Sequence, residues 1–235
     1  MLKLLNSNTS NYCTFLKEYC KFCQYKTIVE IGVQTGGSAF QLCLAVKETD
    51  GKFFGYDYFE PIGVYNLTDI SKEKVENFFI NNGIEKKFFE IKKINVHDKE
   101  FPEILKSDTN GKIDFAFIDG DHSYQGITAD FLNVYPLLSE EGTIAFHDTY
   151  SHLGCRKFVF DLYEKYNDGT YDIINLPYGL ENGRCGLTLL VKRSYPIYKS
   201  GITINVHETL TNSDLMPEYV YTEEKNWYQS QLKNN

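Results

Sequence analysis

The chain has 235 residues, of which 42% are hydrophobic and 24% charged, a composition typical of a globular domain long enough for a three-layer core. Its formal net charge of −8 argues against nucleic acid or an anionic membrane surface as the main partner. Because no stretch approaches the ~18 apolar residues of a membrane helix and the first ten residues lack a secretory h-region, we expect a cytoplasmic protein.

The N-terminal segment 11–25 has the apolar spacing of an amphipathic helix, with Phe15, Leu16, Tyr19 and Phe22 predicted on one side. Cys20 and Cys23 have the spacing of metal ligands, but the chain has no other cysteine pair with this spacing. We therefore predict that these cysteines pack as small apolar side chains rather than bind zinc.

Strand and helix patterns then alternate along the chain. The predicted strands are 27–31, 52–56, 88–94, 115–118, 143–146, 171–176 and 186–191. Three predicted helices are 38–47, 99–106 and 155–166. A further helix is predicted between an N-cap at Ser71 and Gly83. Another is predicted before the fifth strand, where Ile127, Phe131, Val134 and Leu138 recur at helical spacing. This alternation predicts an α/β, doubly wound, Rossmann-like three-layer sandwich. The last two strands should pair antiparallel, because residues 177–185 are too few for a helical crossover.

A glycine-rich turn, residues 30–38 with the sequence EIGVQTGGS, follows the first strand. Glycine tolerates a positive φ and lets a ligand approach the backbone closely. The turn does not match the dinucleotide pattern G-x-G-x-x-G, because Gln34 replaces the second glycine, and no Gly-Lys-Ser/Thr of a P-loop follows. Asp57 ends the second strand, where a carboxylate can accept both hydroxyls of a ribose, and Tyr58 beside it could stack on a base.

The fourth and fifth predicted strands both end in side chains that titrate or bind metals. These are Asp119, Asp121 and His122 after the fourth strand, and His147 and Asp148 after the fifth. Because ligands of open parallel sheets bind beyond the carboxyl ends of the strands, we predict a site at this edge. We interpret His152 and His207, which lack such neighbours in sequence, as ordinary polar residues.

Taken together, these motifs resemble the class I S-adenosylmethionine (SAM)-dependent methyltransferases. EIGVQTGGSA resembles the first motif of that class, GYDYFE the second, and residues 117–149 the region of the fourth and fifth strands. The similarity is greatest to small-molecule and sugar O-methyltransferases that carry IDGDHSY after the fourth strand and HD after the fifth. It covers roughly residues 27–191.

The resemblance implies a seven-stranded, mostly parallel sheet of order 3-2-1-4-5-7-6 with strand 7 antiparallel, and SAM as cofactor. The residues that it implies as cofactor contacts are Glu30, Gly32, Gln34, Gly36, Gly37, Ser38, Asp57, Tyr58, His97 and Asp119. It implies O-methylation of a small polar molecule such as a sugar or glycan precursor. The alternatives are an N-methyltransferase, a nucleotide-dependent oxidoreductase and a non-catalytic module with the same fold.

Two chemical schemes fit methyl transfer to a hydroxyl, which must be held about 3 Å from the methyl group and lose its proton. In the first scheme, Asp119, His147 and Asp148 bind a divalent cation, and Asp121 or His122 takes the proton. The imidazole in that ligand set suits a softer ion better than magnesium. In the second scheme no metal is bound, and His122 or His147 is the general base. The residues alone leave both schemes open.

We expect residues 1–193 to form the methyltransferase domain with its N-terminal helix. Residues 194–235 are polar and aromatic, and we expect a C-terminal extension that acts as a lid, a dimer contact or a surface wrap. The expected partners are a small-molecule substrate and, within a homo-oligomer, a second copy of the chain.

Overall fold

The structure is a computed structural model that describes residues 11–60, 70–167, 169–176 and 185–193. Contacts within the chain define a first unit of residues 1–167 and 171–194. The second unit comprises residues 168–170 and 195–235, of which only Gly169 and Thr170 are described. The predicted extension 194–235 therefore lies outside the described residues.

Helices and strands alternate through the first unit. The helices are α1 (Asn11–Phe22), α2 (Gly37–Thr49), α3 (Lys72–Asn81), α4 (Phe101–Asp108), α5 (Tyr124–Val134) and α6 (Leu153–Glu164). The strands are β1 (Thr27–Ile31), β2 (Lys52–Asp57), β3 (Phe89–Lys93), β4 (Ile113–Ile118), β5 (Leu138–His147), β6 (Tyr171–Leu176) and β7 (Leu187–Lys192). Short 3₁₀ turns at Lys86–Phe88 and Tyr135–Leu137 precede β3 and β5.

The seven strands form one sheet in the order β3-β2-β1-β4-β5-β7-β6. The first five strands pair in parallel, and β7 runs antiparallel to both β5 and β6. The predicted fold class and strand order are confirmed. In the register of the sheet, Ile31 lies beside Tyr56 and Ile118, and Ile118 lies beside Phe146. The carboxyl ends of β1, β2, β4 and β5 therefore meet at one edge.

Two apolar layers cover the two faces of the sheet. The layer between the sheet and helices α1, α2 and α3 includes Leu16, Val46 and Phe79. The layer between the sheet and helices α4 and α6 includes Leu105 and Phe158. All five side chains are fully buried. Burial of a large apolar side chain contributes about 1.5–3 kcal/mol, so these layers hold the strand ends in place.

The expected position of Phe22 on the buried side of α1 is wrong, because its side chain is 87% exposed. Cys13, Leu16 and Cys20 form the buried stripe of the helix. Phe22 lies two residues after Cys20. In a helix of 3.6 residues per turn this is a rotation of about 200°, so Phe22 lies on the opposite side of the helix. The predicted packing of Cys20 in the core is confirmed, and Cys23 is partly buried against the same core.

The inclusion of Leu138 in the helix before β5 is also wrong, because Leu138 is the first residue of β5 and pairs with Ile113. Helix α5 ends at Val134, and Pro136 follows within a 3₁₀ turn, where its missing N–H cannot continue the helical hydrogen bonds. The register then shifts before Thr143, so that this part of β5 lacks the alternation that marks a regular strand.

Candidate active site

Gly32 brings the turn after β1 into direct contact with the end of β4. Its N–H donates to the carbonyl oxygen of Tyr56 at 2.9 Å, and its φ is +94°. A Cβ atom at this position would lie 2.2 Å from the carbonyl oxygen of Asp119. Only glycine accepts both this conformation and this close approach.

Asp57 links the turn after β1 to the turn after β2. The backbone N–H of Gln34 donates to Asp57 Oδ2 at 2.8 Å, and the N–H of Phe59 donates to Asp57 Oδ1 at 2.5 Å. Each carboxylate oxygen has two acceptor sites, so both oxygens keep one for a further donor such as a ribose hydroxyl. Tyr58, which follows Asp57 directly, is about half exposed.

Glu30 is a fully buried acid at the base of the turn. Ser38 Oγ donates to Glu30 Oε1 at 2.5 Å, whereas Glu30 Oε2 has no hydrogen-bond partner among the described residues. Burial raises the pKa of Glu30 well above its ordinary value, and the hydrogen bond from Ser38 only partly opposes this effect. Burial thus favours the neutral form of this acid, and one of its oxygens is left for another group.

The first turn of α2 leaves room for a ligand. Gly36 precedes the helix in the left-handed conformation, with a φ of +82°, and makes no side-chain cap. A Cβ atom on Gly37 would meet nothing within 4 Å in the described part of the chain. Uncapped N–H groups at a helix N-terminus attract an anionic group such as a carboxylate.

Asp119, His122, His147 and Asp148 form a compact cluster beyond β4 and β5, which we call the carboxylate–imidazole cluster. Asp119 Oδ1 lies 3.3 Å from His122 Nε2 and 3.1 Å from His147 Nδ1. Asp148 Oδ2 lies 3.4 Å from His122 Nε2 and 3.5 Å from His147 Nδ1. The structure thus brings together four of the residues predicted at this edge.

The carboxylates determine the charge of this cluster. Burial lowers the pKa of His147, but hydrogen bonds and charge from Asp119 and Asp148 outweigh it and raise the pKa to about 10. Burial raises the pKa of Asp119 and of Asp148, but their contacts with the histidines outweigh burial and lower both pKa values. Asp119 also raises the pKa of His122. His147 is therefore protonated at neutral pH, and both carboxylates are ionised.

The His147 ring also packs against aromatic side chains. The ring lies 4.4 Å from that of Tyr12 and 6.0 Å from that of Phe117, measured between centroids. His147 Nε2 is buried and has no hydrogen-bond partner among the described residues. A buried imidazole nitrogen without a partner is a position where a ligand would remove an energetic cost.

Asp121 has a structural task. Its oxygens accept hydrogen bonds from the N–H of Ser123 at 2.8 Å and from Ser123 Oγ at 2.9 Å, and its side chain packs against Gly126. Ser123 is the N-cap of α5 and in turn accepts a hydrogen bond from the N–H of Gly126 at 3.0 Å. Asp121 thus supports the start of α5, and its predicted catalytic role stays a prediction.

His97 lies at a buried acid that the sequence reasoning missed. His97 Nε2 is 3.4 Å from Asp130 Oδ1 on α5, and Asp130 is fully buried. Burial raises the pKa of Asp130, and Asp130 raises that of His97. The missed signal was an acid between Ile127 and Phe131, on the apolar side of a helix.

His152 also escaped the sequence reasoning, although the structure places it at the cluster. Its Nδ1 lies 3.5 Å from Asp148 Oδ2, and its ring centroid is 4.2 Å from that of His122. The available signal was its position four residues after Asp148. The ligand atoms of His147, Asp148 and Cys185 also lie within 4.8 Å of one another. His207 lies outside the described residues.

A doubly wound sheet of this order, with a glycine turn and an acid at the ends of its first two strands, defines the class I methyltransferase fold. A family model described as a methyltransferase domain matches residues 29–149, just over half of the chain. The chain belongs to this methyltransferase family.

Curated relatives match about half of the chain. A protein of Acanthamoeba polyphaga mimivirus, described as uncharacterized, is 32% identical over 122 residues, which are 52% of this chain and 51% of that protein. The chain spans about half or less of the length of the curated relatives it matches.

Solved structures show the same fold. The O-methyltransferase TomG from Streptomyces achromogenes, involved in tomaymycin synthesis and in complex with SAM, has a TM-score of 0.60 and 16% identity over 78% of this chain and 80% of its own. An O-methyltransferase from Bacillus cereus in complex with SAH (S-adenosylhomocysteine) has a TM-score of 0.60 and 16% identity over 78% of this chain and 81% of its own. In the described part of this chain, no helix has the length and apolar character needed to cross a membrane.

Proposed function

We propose that this chain transfers a methyl group from SAM to a hydroxyl of a small polar molecule, such as a sugar or a glycan precursor. One observation carries the proposal. The glycine turn and Asp57 lie at the same edge of the sheet as the carboxylate–imidazole cluster, and Gly32 touches the backbone of Asp119. A cofactor in the turn would therefore lie beside the groups that can handle a hydroxyl proton.

The turn supplies groups that match the parts of SAM. Asp57 keeps acceptor sites for the ribose hydroxyls, and the open first turn of α2 suits the carboxylate of the methionine part. Glu30 Oε2, which lacks a partner among the described residues, is a further polar group beneath the turn. Two solved neighbours of the same fold contain SAM or SAH, which supports this choice of cofactor.

Methyl transfer from a sulfonium releases a neutral thioether, so the leaving group needs no acid, whereas the attacking hydroxyl must lose a proton. In the ion-free protein we assign that proton to His122. Its side chain is 34% exposed and therefore accessible to a substrate. His147 is already protonated between two carboxylates, and Asp121 is engaged with Ser123.

A divalent cation held by Asp119, His147 and Asp148 is the alternative route for the proton. His147 Nδ1 lies within 3.5 Å of an oxygen of each carboxylate, so the imidazole contacts both acids of this ligand set. A bound ion would supply Lewis acidity that lowers the pKa of the hydroxyl. One imidazole and two carboxylates fit a transition-metal ion better than magnesium.

Calorimetry with SAH tests the cofactor half of the proposal. We expect SAH to bind and NADH not to bind. Asp57→Asn should weaken SAH binding by about tenfold or more, because it removes the charge from an acceptor of ribose hydroxyls. The matched control Asp50→Asn changes an exposed acid at the end of α2 and should bind SAH like the wild type. Binding of NADH in place of SAH would contradict the proposal.

Transfer of labelled methyl groups from SAM to sugar acceptors, with and without EDTA, tests the other half. Activity that survives EDTA but is lost in His122→Ala supports the ion-free route. Activity that EDTA removes and a divalent ion restores supports the ion route. Methylation that appears only on amines, and that His122→Ala leaves intact, would contradict O-methylation.

A further inference from the structure

We propose that His122, Asp148 and His152 form a binding site for a transition-metal ion at the outer side of the carboxylate–imidazole cluster. Each of the three residues offers one ligand atom, and these atoms lie within 4.8 Å of one another. Asp148 Oδ2 is 3.4 Å from His122 Nε2 and 3.5 Å from His152 Nδ1. This site shares Asp148 with the ligand set Asp119, His147 and Asp148, but its two imidazoles, those of His122 and His152, do not belong to that set.

The two distances from Asp148 Oδ2 to the imidazole nitrogens match ligands around an ion better than direct hydrogen bonds. Around a four-coordinate zinc ion with bonds of about 2.0–2.1 Å, neighbouring ligand atoms are separated by about 3.4 Å. A charged N–H···O hydrogen bond is shorter, at about 2.7–2.9 Å. The two separations at Asp148 Oδ2, 3.4 and 3.5 Å, are close to the spacing of ligand atoms around zinc and longer than such a hydrogen bond.

Direct packing of α6 on the loop after β4 brings the two histidines together. A Cβ atom on Gly154 would lie 2.3 Å from the carbonyl oxygen of His122, so the first turn of α6 rests on that backbone. Cys155 Sγ donates to the same carbonyl oxygen at 3.7 Å. His152 occupies the N-cap position of α6, yet its side chain makes no capping hydrogen bond. Its ring lies instead beside that of His122.

A neighbouring hydroxyl orients the Asp148 carboxylate. Ser151 Oγ donates to Asp148 Oδ1 at 2.7 Å and also lies 3.1 Å from His152 Nδ1, a contact that an ion at this nitrogen would replace. Asp148 Oδ2 is left directed at the imidazoles. Hydrogen bonds of this kind to the second oxygen of a ligating carboxylate commonly support metal sites. Asp148 also has a φ of +57°, a conformation that is uncommon for a residue with a side chain.

Two imidazoles and one carboxylate suit zinc, cobalt or iron, whereas magnesium prefers a set of oxygen ligands. The side chains of His122 and His152 are 34% and 46% exposed, so a fourth ligand position faces solvent. The role of that position rests on the proposed function, in which it would take an oxygen of the substrate. Ion binding itself does not depend on methyl transfer. With an ion bound, His122 is a ligand and not the base.

Titration of the full chain with Co²⁺, followed by visible absorption and calorimetry, tests the site. We expect one ion per chain, with the strong absorption of low-coordinate Co²⁺, and no competition from equimolar Mg²⁺. His152→Ala should weaken Co²⁺ binding at least about tenfold, a loss in the range seen when support of a metal site is removed. Glu103→Gln, an exposed acid on α4, is the control and should bind Co²⁺ normally.

Three results would overturn the proposal. Equal Co²⁺ affinity of the wild type and His152→Ala would show that this histidine is not a ligand. A thiolate charge-transfer band that disappears in Cys185→Ser would assign the ion to His147, Asp148 and Cys185 instead. Displacement of Co²⁺ by equimolar Mg²⁺ would indicate a carboxylate site. SAH binding is measured separately, so that failure of this metal site can be distinguished from failure of the proposed function.

Discussion

The two halves of the candidate active site are built from different kinds of groups. The cofactor half consists mainly of backbone, with Gly32 and Gly36 in positive-φ conformations and Asp57 holding two N–H groups. The other half consists of titratable side chains in contact, of which His147 and Asp148 are the most shifted in pKa. Sterics therefore determine the first half, and protonation determines the second.

This difference shows how a single fold can combine a constant cofactor site with variable chemistry. A backbone turn that only glycine can adopt keeps its shape over a wide range of pH. A cluster of two carboxylates and two imidazoles changes its charge with pH, with a bound ion or with a substrate. The two halves should therefore respond to different perturbations.

The largest expected effect is that of Gly32→Ala on the cofactor half. The new Cβ atom would clash with the backbone of Asp119 at a φ of +94°, so we expect a loss of unfolding free energy of about 3 kcal/mol or more. Urea unfolding measures this change. In the control Gly37→Ala, the added methyl meets no atom within 4 Å, and stability should stay within about 1 kcal/mol of the wild type. Equal effects of the two substitutions would show that the turn is not sterically constrained.

The next effect concerns pH and the carboxylate–imidazole cluster. The folded pKa of His147, about 10, lies above the unfolded value of 6.5, so its protonation stabilises the fold below the unfolded value. This contribution is lost as pH rises from about 6.5 through 10, with a slope of at most about 1.4 kcal/mol per pH unit. Urea unfolding between pH 7 and 10 should therefore show a steeper decline for the wild type than for His147→Gln. Parallel curves would mean that His147 is not held in its charged form.

The sequence predicted the fold because its periodicities are local. Five parallel strands that alternate with helices leave few arrangements of the chain, and a strand end such as Asp57 or Asp119 identifies the functional edge. The start of β5 was missed because Leu138 lies before a register shift, where alternation of polar and apolar residues breaks down.

Details of the site could not be predicted, because they depend on contacts between distant segments. His152 reaches the cluster only because Gly154 lets α6 rest on the backbone of His122. The structural use of Asp121 depends on its packing against Gly126. Sequence spacing identifies such residues as polar and near a strand end, but it contains no information on which oxygen faces which ring.

The smallest expected effect tests whether the cofactor half is insensitive to charge. Burial raises the pKa of Glu30 and so favours its neutral form, which glutamine matches closely in shape. Because the Ser38 hydroxyl can donate equally well to an amide oxygen, Glu30→Gln should change the unfolding free energy by less than about 1 kcal/mol. The matched variant Ser38→Ala removes the donor and should cost about 1–3 kcal/mol. If urea unfolding at pH 7 instead shows the larger loss for Glu30→Gln, Glu30 is ionised, and the cofactor half depends on protonation as the cluster does.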